Sequence, residues 1–210
     1  MLRKIFDTDN KVFRFFAKLG YIWWLHILWL ICSIPVISIG ASTTALCYAC
    51  MKLQEGNEKV TSNFFKSFKE NFRQSTIIFI IYLIAGAAIV MDIIVCSFYG
   101  GAFSQVTKYA AIALMIPYII SAIYVFAIQA KFVNPVKKTI YYSFIVARKY
   151  IGATLMLVLI LAAGIALNMT IVLANFITVS MGIGIEVYLF SIIYNKIFRK
   201  IIAQVPKVQE

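Results

Sequence analysis

Two acids and one histidine stand inside long uncharged stretches of the chain: Asp92, Glu186 and His26. An ionised group at the centre of a bilayer costs about 2.5–3.5 kcal/mol even on lenient insertion scales, so such residues usually face protein or water and mark ion or proton paths. His26 titrates near neutrality when unperturbed and is a candidate proton relay, or a neutral hydrogen-bonding link between helices. Asp92 and Glu186 have the same two readings: buried groups on a path, or groups near the outer interface that remain solvated. Brought together, they would form an outward-facing acidic pair that attracts cations. Cys47 and Cys50 have the C-x-x-C spacing of metal and redox sites, but no second pair lies near them in sequence. They read as small apolar packing residues, as do Cys32 and Cys96. No metal and no cofactor is expected. The chain lacks a P-loop, an H-E-x-x-H pair and a G-x-S-x-G elbow, so it is not expected to be an enzyme.

The elements that must position these residues belong to a membrane protein. The chain is 62% hydrophobic with a mean hydropathy of +0.89, whereas soluble domains average about 45–50% apolar. Several uncharged runs exceed the roughly 18 residues that distinguish a membrane helix from a buried soluble one. The net charge of +12 does not indicate nucleic acid. The basic residues flank apolar runs instead of lining one polar face, which makes them topology signals and headgroup contacts.

Nearly all lysines and arginines fall into four clusters. These are Arg3 to Lys18, Lys52 to Arg73, Lys131 to Lys149, and Lys196 to Lys207; Lys108 alone lies elsewhere. Positive charge beside membrane segments stays on the cytoplasmic side. The expected fold is therefore an all-α integral membrane protein with about six transmembrane segments. They form three hairpins, each preceded by a cytoplasmic amphipathic helix in the interface, with both termini inside.

Residues 1–20 form the first interfacial helix and 21–53 the first hairpin. Its apolar run is too long and too far from the N-terminus for a signal sequence, so it is expected to remain as an uncleaved span. Ile34-Pro35 and Gly40 break it. Its return arm either begins near Val36 or is a half-helix that does not cross, and charge parity accepts both. Residues 61–74 form the second interfacial helix, with Phe64, Phe65, Phe68 and Phe72 on one face. Hairpin 75–130 turns near Gly100-Gly101. Asn134-Pro135 opens the third interfacial helix, 135–150. Hairpin 151–195 follows, with a break near 175–184, and then a basic tail, 196–210. Residues 71–76 and 149–154 align as equivalent junctions of a weak internal repeat. The small-residue run Gly40, Ala41, Ser42, Thr43, Thr44 and Ala45 allows close helix approach, as internal packing or as a groove for a partner.

The run from Leu28 to Leu46 (LWLICSIPVISIGASTTAL) resembles the hallmark of the YesL-like family of bacterial membrane proteins, as do Phe64 to Phe72 and Asn134-Pro135-Val136-Lys137. The resemblance covers nearly the whole chain. It implies a multi-pass protein of the bacterial cell membrane whose genes neighbour carbohydrate ABC importers and polysaccharide-degrading enzymes. It implies no catalytic residues. The functional expectation is an accessory or regulatory subunit of an oligosaccharide ABC importer, contacting lipid and the permease subunits, or forming homo-oligomers. The alternative is a small stand-alone transporter or channel using Asp92, Glu186 and His26.

Overall fold

The computed structural model describes residues 11–99, 101–170 and 181–204, and these are helical apart from short connections. The order is α1 Lys11–Ser33, a 3-10 turn Val36–Ser38, α2 Ile39–Gln54, α3 Val60–Phe98, α4 Ala102–Lys131, α5 Val136–Lys149, α6 Ile151–Thr170 and α7 Ile183–Gln204. Four helical stretches are long and apolar enough to cross a membrane: Arg14–Ser33, Val36–Gln54, Val60–Phe98 and Ala102–Lys131. A fifth arises if α5 and α6, bent by 100° at Tyr150, count as one span. Against the expected six segments, the described residues hold four or five such stretches. The last expected span begins in residues outside them, and α7 itself carries Glu186, Lys196, Arg199 and Lys200. The expected tail is helical as far as Gln204. Residues 1–10, Gly100, most of the 175–184 break and 205–210 lie outside the described residues.

α2 occupies the centre. In the stretch Val36–Gln54, 67% of the residues are buried, against 11% in the most apolar stretch of α3. It packs on α1, α3, α4 and α7. A helix surrounded on all sides needs small residues to let its neighbours approach, because in lipid the packing is driven by van der Waals contact and interhelical hydrogen bonds. The sequence IGASTTALCYAC supplies them. At Gly40 an added methyl group would overlap the Ser75 carbonyl oxygen and stand 2.6 Å from the Phe79 Cβ. Only glycine admits α3 this closely. One turn on, Thr44 Oγ1 and Ser75 Oγ lie 2.8 Å apart, and Thr44 also donates to the Gly40 carbonyl at 2.9 Å.

Two apolar clusters flank this helix. Leu25, Leu28, Leu46, Cys50, Leu53 and Phe64 join α1, α2 and the start of α3. Met51, Tyr124, Ile128, Leu157, Tyr194 and Phe198 join α2 to α4, α6 and α7.

Two expected interfacial helices are not separate elements. Residues 11–20 run unbroken into the rest of α1, and residues 61–74 run unbroken into 75–98 as one 39-residue helix. The 71–76 junction holds no proline or glycine, and Asn71, Gln74 and Ser75 find partners on neighbouring helices, so nothing forces a break. The expected Phe face is turned partly inward: Phe64 is fully buried and Phe68 half-buried, while Phe65 and Phe72 are exposed. The supposed equivalent junction at 149–154 does turn sharply. There Thr154 Oγ1 donates to the Ala147 carbonyl at 2.9 Å, satisfying an acceptor at the broken end of α5. The two junctions of the apparent repeat therefore differ in structure.

Gly40→Ala should destabilise the fold by about 1–3 kcal/mol through overpacking. Gly20→Ala, which meets nothing within 4 Å, should be neutral or stabilising by up to about 1 kcal/mol. Thermal unfolding in detergent, followed by tryptophan fluorescence, separates the two.

Candidate functional site

The three ionisable residues singled out by sequence do not meet. His26 is buried on α1; its Nδ1 accepts a hydrogen bond from the Gly184 N–H of α7 at 3.3 Å, and its ring stacks on Trp29. Gly184 packs tightly here, because a Cβ would lie 3.0 Å from both the His26 Cβ and the Ile22 carbonyl oxygen and would push them back by a few tenths of an ångström. Glu186 follows two residues later. Positions i and i+2 point to nearly opposite sides of a helix, and Glu186 turns away from α1 to lie against Gly164 of α6. Asp92 is exposed near the far end of α3, where Cys96 Sγ of the same helix approaches its Oδ1 at 3.6 Å. Cys96 in turn faces Thr107 of α4 at 3.1 Å. The two carboxylates belong to different helix contacts, Asp92 beside Cys96 and Glu186 against Gly164.

The small-residue run is used internally. Gly40, Ala41, Ser42 and Thr44 are buried. Thr43 is half-buried and accepts a hydrogen bond from Trp29 Nε1 at 3.1 Å. Ser42 Oγ lies 2.6 Å from Ser33 Oγ. Burial leaves Gly40, Ala41, Ser42 and Thr44 no surface for the partner groove considered from sequence. Cys47 and Cys50 are both buried as free thiols. Among the described residues, no group of three or more His, Cys, Asp or Glu side chains is placed to hold a metal.

What sequence reading missed is a polar assembly at the basic end of the bundle. Gln129 of α4 is its centre. Its Nε2 donates to Gln74 Oε1 at 2.6 Å and Asn71 Oδ1 at 3.2 Å, and its Oε1 accepts from Thr139 Oγ1 of α5 at 2.9 Å. One amide thereby locks α3, α4 and α5. Beside it, Glu55 at the end of α2 pairs with Lys52 at 2.8 Å and Lys131 at 3.0 Å. On the other flank Lys149 Nζ donates to Gln204 Oε1 at 2.7 Å, and Lys149, Lys196 and Lys200 line one shallow groove. The second, third and fourth basic clusters thus converge at one end. A cleft of about 610 Å³ opens there, walled by Tyr48, Glu70, Arg73, Gln74, Gln129 and Lys131. From sequence, Gln129 reads as a polar residue that bonds between helices, but its partners Asn71, Gln74 and Thr139 carry no signal of their own. Their convergence depends on how far α3 and α4 are offset.

Partial burial raises the Glu55 carboxyl, but hydrogen bonds and charge from Lys52 and Lys131 outweigh it and hold the group below its ordinary 4.5. A carboxyl depressed in the fold contributes stability that is complete above its ordinary value and vanishes as pH falls through the lowered one.

These features define a class: a multi-pass helical membrane protein most of whose basic residues gather at one end. Residues 22–93 match the family model described as "Protein of unknown function, DUF624". That stretch covers the end of α1, all of α2 and most of α3, including the run Leu28 to Leu46. No curated protein and no solved structure matches the chain.

Gln129→Leu should cost about 1–3 kcal/mol, because it strands Gln74, Asn71 and Thr139 without their shared partner. Glu55→Gln should cost no more than about 1 kcal/mol at pH 7, because the pairs are partly solvated. It should also flatten the loss of thermal stability that the wild type shows on acidification below pH 4.5. Melting curves of both variants at pH 7 and at acidic pH check the two statements.

Proposed function

We propose that this protein is an accessory or regulatory subunit of a carbohydrate ABC importer in the bacterial cell membrane, without a catalytic activity of its own. The observation that carries the accessory reading is the dispersal of His26, Asp92 and Glu186 over separate helix contacts. Interior polar groups such as Thr44, Ser75, Tyr82, Ser121, Tyr124 and Thr154 likewise bond to one another between helices. A transporter or channel needs polar groups aligned along a path, and this arrangement supports helix packing instead. The importer assignment rests on the resemblance carried by the run Leu28 to Leu46 and by Phe64 to Phe72.

With the small-residue run buried, partner contact falls to what remains exposed: Phe65 and Phe72 on α3 and the basic-end cleft with Arg73 and Lys131. Both lie at the end where cytoplasmic parts of an importer would be met, given that basic residues stay inside.

Affinity purification from native membranes in mild detergent should recover permease subunits in stoichiometric amounts, and deletion should lower oligosaccharide uptake several-fold. Asp92→Asn and Glu186→Gln should restore that uptake to the wild-type level. Purification of the protein alone, with unchanged uptake on deletion, would contradict the proposal. So would a flux through the purified protein in liposomes that either acid variant abolishes; that result would establish the transporter.

A further inference from the structure

The first hairpin and the second do not reach the same depth. Gly40, at the start of α2, is in contact with Ser75 and Phe79 of α3, and the 3-10 turn Val36–Ser38 also packs on α3. α3 then continues from Ile80 to Phe98, about 28 Å at about 1.5 Å per residue. The first part of that length, Ile80–Met91, is about 18 Å at the same rise, and its surface is apolar: Ile80, Ile81, Leu83, Ile84 and Met91 are exposed. The exposed Asp92 follows, and a carboxylate is least costly close to an interface. The Ile80–Met91 part of α3, with the facing part of α4, must lie in lipid. The turn between α1 and α2 therefore ends about 18 Å short of the interface away from the basic clusters, inside a hydrocarbon layer about 30 Å thick.

The turn itself is built for lipid. Ile34, Val36 and Ile37 are 77%, 61% and 60% exposed, and no charged residue stands between Tyr21 and Met51. Backbone at membrane depth must satisfy its polar groups internally. Here Ser38 Oγ reaches the Cys32 carbonyl at 2.6 Å and the Pro35 carbonyl at 2.7 Å, and the Ser38 N–H reaches the Pro35 carbonyl at 2.8 Å. The Ile34 N–H returns to the Ile31 carbonyl at 3.3 Å. Pro35 has no N–H to satisfy. Ser42 Oγ accompanies the Ser38 and Ile39 carbonyls at 3.1 and 3.0 Å. An apolar tip in water would need none of this.

We infer that α1 and α2 form a re-entrant hairpin. It enters the bilayer from the side of the basic clusters, rests its Ile34–Ile37 tip among the acyl chains of that leaflet, and returns without crossing. Both arms then keep their charged ends on one side, in agreement with the basic residues on either flank. The exposed Trp23 and Trp24, lower on α1, fall where a helix passes the headgroup layer.

Single cysteines at Ile34 and at Ile37 test this, with Cys32 and Cys96 replaced by alanine and the buried Cys47 and Cys50 retained. Both tip positions are exposed, so neither substitution disturbs the packing, and each checks the other. A membrane-impermeant maleimide should label Phe103→Cys in spheroplasts and Val133→Cys in inverted vesicles. It should label Ile34→Cys and Ile37→Cys in neither until detergent is added. A nitroxide at either tip position should collide with oxygen and not with a water-soluble nickel chelate. Labelling in spheroplasts would show a crossing hairpin, and labelling in inverted vesicles a tip in water. Protection from both oxygen and nickel would show a tip covered by protein. Each of these results overturns the inference.

Discussion

The contact of α2 with α3 at Gly40 is the constraint on which the rest of the structure depends. The absence of a side chain there lets the Ser75 carbonyl and the Phe79 Cβ come within a distance no other residue permits. It fixes the axial offset between the first hairpin and α3. That offset in turn sets which part of α3 lies beside protein and which part is left to lipid. The Thr44–Ser75 bond holds the same offset from the side.

Once α2 is seated, its other faces decide the remaining neighbours. Cys47 and Met51 join the cluster of α4, α6 and α7 residues, and the Met51 carbonyl accepts from Asn195 Nδ2 at 3.0 Å. Tyr194 OH donates to the Ile123 carbonyl at 2.6 Å, tying α7 to α4. At the basic end, the same seating brings Glu55 within reach of Lys131, and the α3–α4 offset brings Gln129 to Gln74. In lipid, where apolar burial between helices gains little, such bonds and close backbone approaches carry the specificity of packing. The cleft at that end follows from the same offsets.

The helical membrane class was legible in the sequence because apolar run length and charge clustering are read directly along the chain. The small-residue run was legible as a packing motif for the same reason: Gly40, Ala41, Ser42 and Thr44 sit together in sequence. The continuity of α3 was not legible. Its Phe and basic residues have the period of a surface helix, and that period is equally satisfied by a long helix whose Phe64 side is covered by α1 and α2. The Gln129 assembly was hidden because its members lie on three helices. The separation of His26 from Glu186 depends on which side of α7 faces α1, with Gly184 toward His26 and Glu186 toward α6, which spacing between distant segments cannot give. The depth of the first hairpin was left open by charge, since a crossing pair and a returning pair both place their basic flanks on one side.

The most direct test is a cryo-EM reconstruction of the protein in lipid nanodiscs, read for the heights of its two turns against the lipid density. The account predicts that the Ile34–Ile37 turn lies within the leaflet on the basic side while the α3–α4 link reaches the opposite headgroup layer. Both turns standing at that opposite layer would contradict it.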